Sequence, residues 1–247
     1  MRQSKKISFL LILLPSILNT PLKLAGQEVD QIVKKHVAAM GGQQKLDSLN
    51  TLTIEGTFRI EAYELPLKAY LYHNIGQRFD VTVLKTPGFI IVTPKNGWQY
   101  FPFQGMKEPQ PMKAEETEIY LSSLDLQGPL FNYKEKGHAI TYEGLEVEDD
   151  LVCYKLKIIL KSGQQIRGFV DTVSNYLVKT IITISSNEKG QIISENMFGN
   201  FQKTPEGYII PYALTLGPGK MFIRKLTINS PLNSSVFDPV AAKKSEF

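Results

Sequence analysis

The sequence predicts a mostly antiparallel β domain behind a cleavable export signal. Three observations carry that prediction: a short apolar run behind basic residues at the N-terminus, strict two-residue alternation in long stretches, and turn-forming clusters between them. Mature length and the spacing of the strands fit a single core.

At the N-terminus, Arg2, Lys5 and Lys6 precede an apolar run from Ile7 to Leu18. That run is too short to span a bilayer and has the form of a signal-peptide h-region. Leu24-Ala25-Gly26 supplies small residues for signal peptidase, so residues 1–26 read as the signal, with cleavage after Gly26 or, as the alternative, after Ala25. A cysteine at the next position would make this a lipobox, but residue 27 is Gln, which predicts an unacylated, soluble, periplasmic chain. Removing 1–26 takes away four basic residues and no acid, leaving basic and acidic residues balanced at 24 each. A neutral domain gives no electrostatic case for nucleic acid or an anionic membrane. The single cysteine, Cys153, excludes an intramolecular disulfide, so stability must come from packing.

Val29, Ile32, Val33, His36, Val37 and Met40 recur at helical spacing, and Gly41-Gly42 supplies the stop, which predicts a helix over 28–40. From Thr51 the period becomes two: Leu52, Ile54, Gly56, Phe58 and Ile60 alternate with polar residues, giving a strand with one buried face. Further strands are expected at 65–74, 77–85, 88–93 and 97–103, divided by Asn74-Ile75-Gly76, Thr86-Pro87-Gly88 and Pro94-Lys95-Asn96-Gly97. A short helix over 113–125 interrupts the series. Strands resume at 139–147, 151–161, 164–171, 176–186, 190–202, 207–216 and 220–229, and a polar tail, 239–247, is expected to fray. About 11–12 strands with an apolar face each must form a sandwich, a barrel, or a curled sheet closed over the helices.

No catalytic or metal-binding pattern emerges. His36, His73 and His138 are far apart and form no metal-ligand spacing, no GxSxG elbow occurs, and Asp149-Asp150 reads as a solvated turn. His36, on the apolar stripe of the first helix, reads as a hydrogen-bonded core residue, and Cys153 as a small filler. The conspicuous feature is the hairpin 89–103. Phe89 and Ile91 alternate with Ile90 and Val92, and Trp98 and Tyr100 with Phe101 and Phe103, so both its faces are apolar. One face packs the core, and the other needs a ligand, a protein partner or the helix at 113–125 to cover it.

The order of features resembles the LolA and LolB type of periplasmic lipoprotein carriers, the outer-membrane lipoprotein-sorting proteins. The matching pieces are Val33 through Gly42, Leu49 through Thr57, Gly128-Pro129-Leu130, Tyr154-Lys155-Leu156-Lys157, Ser162-Gly163, Phe169-Val170-Asp171, Tyr176 through Lys179, Gly207 through Tyr212, Ile228-Asn229 and Val236-Phe237. The resemblance implies a strongly curved, incompletely closed antiparallel barrel wrapped over helices, formed by residues 27–238, with an apolar cavity for the acyl chains of a lipoprotein or lipid. Hiding roughly a dozen methylenes from water is worth on the order of 10 kcal/mol, so a carrier needs a dry surface of this kind.

On this reading the protein is a non-catalytic monomer without cofactor or metal. It would pass its cargo toward the outer membrane, with a membrane transporter or an outer-membrane acceptor as possible partners. The expected cavity wall is Phe58, Phe89, Ile91, Trp98, Tyr100, Leu156 and Ile158. The competing reading is an interaction module of the cell envelope that docks a protein on the same apolar surface.

Overall fold

The computed structural model describes residues 21–186 and 190–245. Most of the expected signal, residues 1–20, lies outside the described residues. Helix α1 spans Pro21–Ala39, with proline at its first position, where a missing N–H costs nothing, and Gly41 and Gly42 beyond its end at φ 115° and 90°. A one-and-a-half-turn helix, α2 (Gln43–Ser48), follows.

The first meander comprises β1 (Thr51–Ile60), β2 (Tyr63–Tyr72), β3 (Gly76–Val83), β4 (Thr86–Val92), β5 (Gly97–Tyr100) and β6 (Gln110–Pro111). After helix α3 (Ala114–Leu121), a second meander runs through β7 (Ala139–Glu148), β8 (Leu151–Ile159), β9 (Gln165–Asp171), β10 (Leu177–Ser186), β11 (Gly190–Lys203), β12 (Ile209–Leu216) and β13 (Gly219–Ile228). Helix α4 (Pro239–Ser245) ends the described chain.

The thirteen strands form one antiparallel sheet, in the order β6-β5-β4-β3-β2-β1-β13-β12-β11-β10-β9-β8-β7. The first and last strands pair at its centre, and its two edges, β6 and β7, are consecutive in sequence. Residues 112–138 therefore cross the gap that keeps the sheet from closing, and they carry α3 with them. Helix α3 packs on β10 from one half and on β4 and β5 from the other, so the sheet curls around it.

Register separates the two faces. Across the first half, Leu52 faces Leu71 and Ile54 faces Ala69, which faces Phe79, which faces Ile90. Across the second half, Tyr142 faces Leu156, Ile158 faces Ile166, and Ile166 faces Ile182. These side chains form the inner face. Val29, Ile32 and Val33 of α1 pack on Leu156, Ile158, Ile166, Val170, Ile182 and Ile184. A second inner cluster gathers Leu49, Leu52, Ile54, Ala69, Leu71, Tyr208 and Ile223.

The structure departs from the sequence reading in four places: α1 begins at Pro21, within the expected signal, α2 was not expected, and the strand count and the C-terminal tail differ. The count is thirteen because Gln110–Pro111 adds a two-residue edge strand too short to show any period. The polar stretch after Phe237 is helix α4, opened by Asp238, whose Oδ1 accepts from the N–H groups of Val240 and Ala241, and followed by Pro239 at the first helical position. Its Ala242 is buried.

His36 is a core residue, and its Nδ1 donates to the Asn175 carbonyl at 2.9 Å. Burial holds its pKa below 6.5, against the opposing effect of that hydrogen bond. Burial lowers His73 and His138 as well. Each is disfavoured in its charged form by folding, so the unfolded chain takes up these protons first as pH falls below about 6.5. Stability measured by urea denaturation should be flat from pH 8 to 7 on their account. It should then fall as pH drops through 6.5 toward 5, less steeply in His36→Gln. A stability that rises with acidification over that window would contradict this placement.

Candidate functional site

The inner face is longer than the helices laid on it. Helix α1 makes its main contacts with β7, and α3 with β4, β5 and β10. On the strands between β4 and β10, across β1, β2, β3, β11 and β12, lies a strip of half-buried apolar side chains that includes Phe58, Leu65, Val81, Phe198 and Leu214. Register places them together: Phe58 faces Leu65 on one side and Met221 on the other, and Leu214 faces both Met221 and Phe198. Phe58 lies flat on the sheet because Gly219 has no side chain. A Cβ there would sit 2.1 Å from the ring.

Two buried glutamines hold α3 over the gap. Gln77 of β3 donates to the Tyr120 carbonyl at 3.2 Å, and Gln164 of the β8–β9 turn donates to the Glu118 carbonyl at 2.8 Å. These carbonyls belong to the last turn of α3, where acceptors lack intrahelical partners. Ser123 Oγ donates to Gln77 Oε1 at 2.9 Å, which leaves that amide paired at both ends. One strand of the first meander and one turn of the second thus grip the same helix end. Beside it, a cleft of about 670 Å³ is lined by Trp98, Met112, Thr117, Leu121, Leu160 and Gln164, and is bounded by the β4–β5 and β8–β9 turns. It is an opening between the two ends of the curled sheet.

The seven residues expected to form one wall are divided between two faces. Phe58, Leu156 and Ile158 are on the inner face, Leu156 and Ile158 beneath α1. Phe89, Ile91, Trp98 and Tyr100 are on the outer face, which corrects the expectation of a single wall. Phe89 faces Asp80 and Tyr100, and Ile91 faces Arg78 and Trp98, one residue out of step with the inner Ile90 and Val92. There they join Tyr70 and Tyr72 beneath Phe237 and Ala242, so the C-terminal segment is what covers the second apolar face of this hairpin. Arg78 pairs with Asp80 at 2.6 Å in this cluster, its guanidinium 5.7 Å from the Tyr70 ring centre and 5.3 Å from that of Phe89. Because both faces of β4 are apolar, alternation could not decide which was which.

Sequence reasoning missed Gln77 and Gln164. The available signal was Gln77 standing in step with Phe79 and Val81, a polar residue at an inward position. Cys153 is buried on the outer face, where burial first, then Asp171 and Glu148, push its thiol up to about 11, far from a nucleophile's range.

The geometry defines a class: an unclosed antiparallel half-barrel with helices on its inner face and a gap spanned by a helical segment. Solved structures of this class match over most of the chain. A LolA superfamily protein from Nitrosomonas europaea aligns over 85% of this chain and 96% of its own, with TM-score 0.54 and 11% identity. An outer membrane lipoprotein-sorting protein domain from Vibrio parahaemolyticus, described in its name as putative, aligns over 87% and 97%, with TM-score 0.53 and 12% identity. A DUF1329 family protein from Desulfovibrio piger aligns over 86% and 98%, with TM-score 0.52 and 12% identity. No family model matches the sequence, and no curated protein does. The chain has the LolA-type fold.

If Gly219 seats Phe58, Gly219→Ala should force the ring off the strip and cost about 1–3 kcal/mol by overpacking. Chemical denaturation should show that loss as a lower midpoint, and Gly219→Ala,Phe58→Ala should recover part of it. An unchanged midpoint in the single variant would mean that the ring does not rest there.

Proposed function

We propose that this protein is a non-catalytic carrier that binds the acyl chains of a lipoprotein or lipid on its inner apolar strip and passes them toward the outer membrane. The observation that carries the reading is an apolar inner face, gathered in two clusters with half-buried side chains beside them, that the described helices cover only in part. Phe58, Leu65, Val81, Phe198 and Leu214 would supply the exposed part of the wall, and Leu156 and Ile158 the part beneath α1. An acyl chain laid along them would be removed from water at about 0.8 kcal/mol per methylene. The LolA-type fold, shared with a protein named for lipoprotein sorting, supports the same reading at the level of architecture.

In this proposal residues 1–26 are a cleaved signal, residues 27–238 are the lipid-binding domain, and the chain works in the periplasm as a monomer. No described helix is long and apolar enough to cross a membrane. The cleft beside α3 is the route by which a chain enters, because there the two ends of the curled sheet stand apart and the helix end is tied to them by the amides of Gln77 and Gln164.

Mass spectrometry of lipid extracted from gently purified protein is the direct test. Acylated species should be recovered, and a fluorescent fatty acid should bind the delipidated protein and bind Phe58→Asp at least tenfold less well, since a buried charge is far costlier than one lost contact. A protein that retains no lipid and takes up no fatty acid is not a carrier.

A further inference from the structure

At the end of the β7–β8 hairpin, the inner face continues beyond the helices and emerges into solvent. A β-bulge between Tyr142 and Gly144 shifts the register by one residue, so Leu145 faces Tyr154 and Val147 faces Val152, on the same face of β8 as Leu156 beneath α1. Yet Leu145 is 60% exposed, Val147 67% and Val152 46%. The β9–β10 turn stands beside them, because the Thr172 N–H donates to the Val152 carbonyl at 2.9 Å, and it adds Val173 at 87% exposure. Leu145, Val147, Val152 and Val173 form a knob of four aliphatic side chains on two neighbouring turns, while Leu151, opposite Glu148, lies on the outer side of the same turn. An apolar cluster of this kind is unusual on a protein surface and marks a contact.

Its chemistry selects the partner. Protein-binding hot spots are rich in Trp, Tyr and Arg seated in pockets, whereas this knob is wholly aliphatic and stands out from the surface. The charges around it are sorted. Glu146 and Glu148 turn to the outer face and pair with Lys155 and Lys179. Asp149 and Asp150, both at positive φ in the tight turn, have no cation partner among the described residues. Two unpaired carboxylates at the tip repel an anionic surface and complement the ammonium of a choline or ethanolamine headgroup.

Resting on the carrier reading, we propose that this knob docks the protein on a zwitterionic bilayer. Leu145, Val147, Val152 and Val173 enter the boundary between headgroups and acyl chains, with Asp149 and Asp150 at the level of the headgroup ammonium. A chain leaving the bilayer at this rim would meet apolar surface continuous with the inner face, through Tyr154 to Leu156.

Flotation of the purified protein with phosphatidylcholine vesicles, and with vesicles enriched in phosphatidylglycerol, tests this. The wild type should float with phosphatidylcholine and more weakly as phosphatidylglycerol is added. Leu145→Ser,Val147→Ser should lower partitioning roughly tenfold or more, while Ile193→Ser, an exposed outer-face change, should not. Asp149→Asn,Asp150→Asn should relieve the discrimination against phosphatidylglycerol. Because all these positions are exposed, an unchanged urea midpoint shows that each variant folds.

Uptake of fatty acid from solution, measured on the same proteins, separates this proposal from the carrier reading. Lost vesicle binding with retained uptake in the Leu145,Val147 variant supports the docking surface. A wild type that takes up fatty acid but floats with no vesicle overturns docking and leaves the carrier standing. A wild type that takes up no fatty acid removes the carrier reading, whatever the flotation shows. A dimer in light scattering that the Leu145,Val147 variant abolishes assigns the knob to a second copy and overturns the proposal.

Discussion

The rest of the structure follows from one constraint: a sheet of thirteen strands must hide its apolar inner face from water, and it has α1, α3 and the segments beside them with which to do so. Burying a Leu, Ile or Val side chain contributes about 1.5–3 kcal/mol, so curvature, which brings the inner side chains toward one another, is favoured over a flat sheet. Closure into a barrel would finish the task. It is prevented because the two edge strands are neighbours in sequence, and the segment between them, residues 112–138, occupies the gap. The face is thus nearly closed, and held so by Gln77 and Gln164 gripping the end of α3. A buried amide left unpaired costs about 1–3 kcal/mol, so this grip is well defined while it lasts.

The outer face meets its own apolar content differently in the two halves. On β2 to β5 the aromatic cluster is roofed by the C-terminal segment, with Phe237 lying against Gly76, where a Cβ would come within 2.7 Å of the ring. On β8 to β10, Phe169 is buried without any roof of secondary structure. The aliphatic stems of Lys155 and Lys179 lie over it, their ammonium groups 6.0 and 5.5 Å from the ring centre. Glu146, Glu148 and Glu195 in turn pair those lysines. On the inner face the strip around Phe58 stays half-buried, and it is there that the proposed carrier would hold its ligand.

How much of this was legible depended on whether local pattern determined the answer. The alternation from Leu52 to Ile60 and from Val152 to Ile158 fixed both strands and their buried faces, and Gly41-Gly42 fixed the end of α1, because each is a local consequence of backbone geometry. The order of such pieces was enough to suggest the LolA-type fold. The hairpin 89–100 was misread for the opposite reason: with apolar side chains on both faces, only its pairing with Arg78 and Asp80 reveals which side is outer. Helix α4 was visible in Asp238-Pro239, a cap followed by a first-turn proline, but its polar composition masked it until the buried Ala242 showed what anchors it. The glutamine grip depends on two residues 87 positions apart meeting one helix end, which no local pattern encodes.

The central claim is that lipid lies on the inner face. A fatty acid carrying a photoreactive diazirine on its chain, bound to the purified protein, illuminated and mapped by peptide mass spectrometry, tests it most directly. The account predicts adducts on inner-face residues of β1, β2, β11 and β12, around Phe58, Leu65, Phe198 and Leu214. Adducts concentrated instead on Phe89, Ile91 and Tyr100, beneath α4, would contradict it.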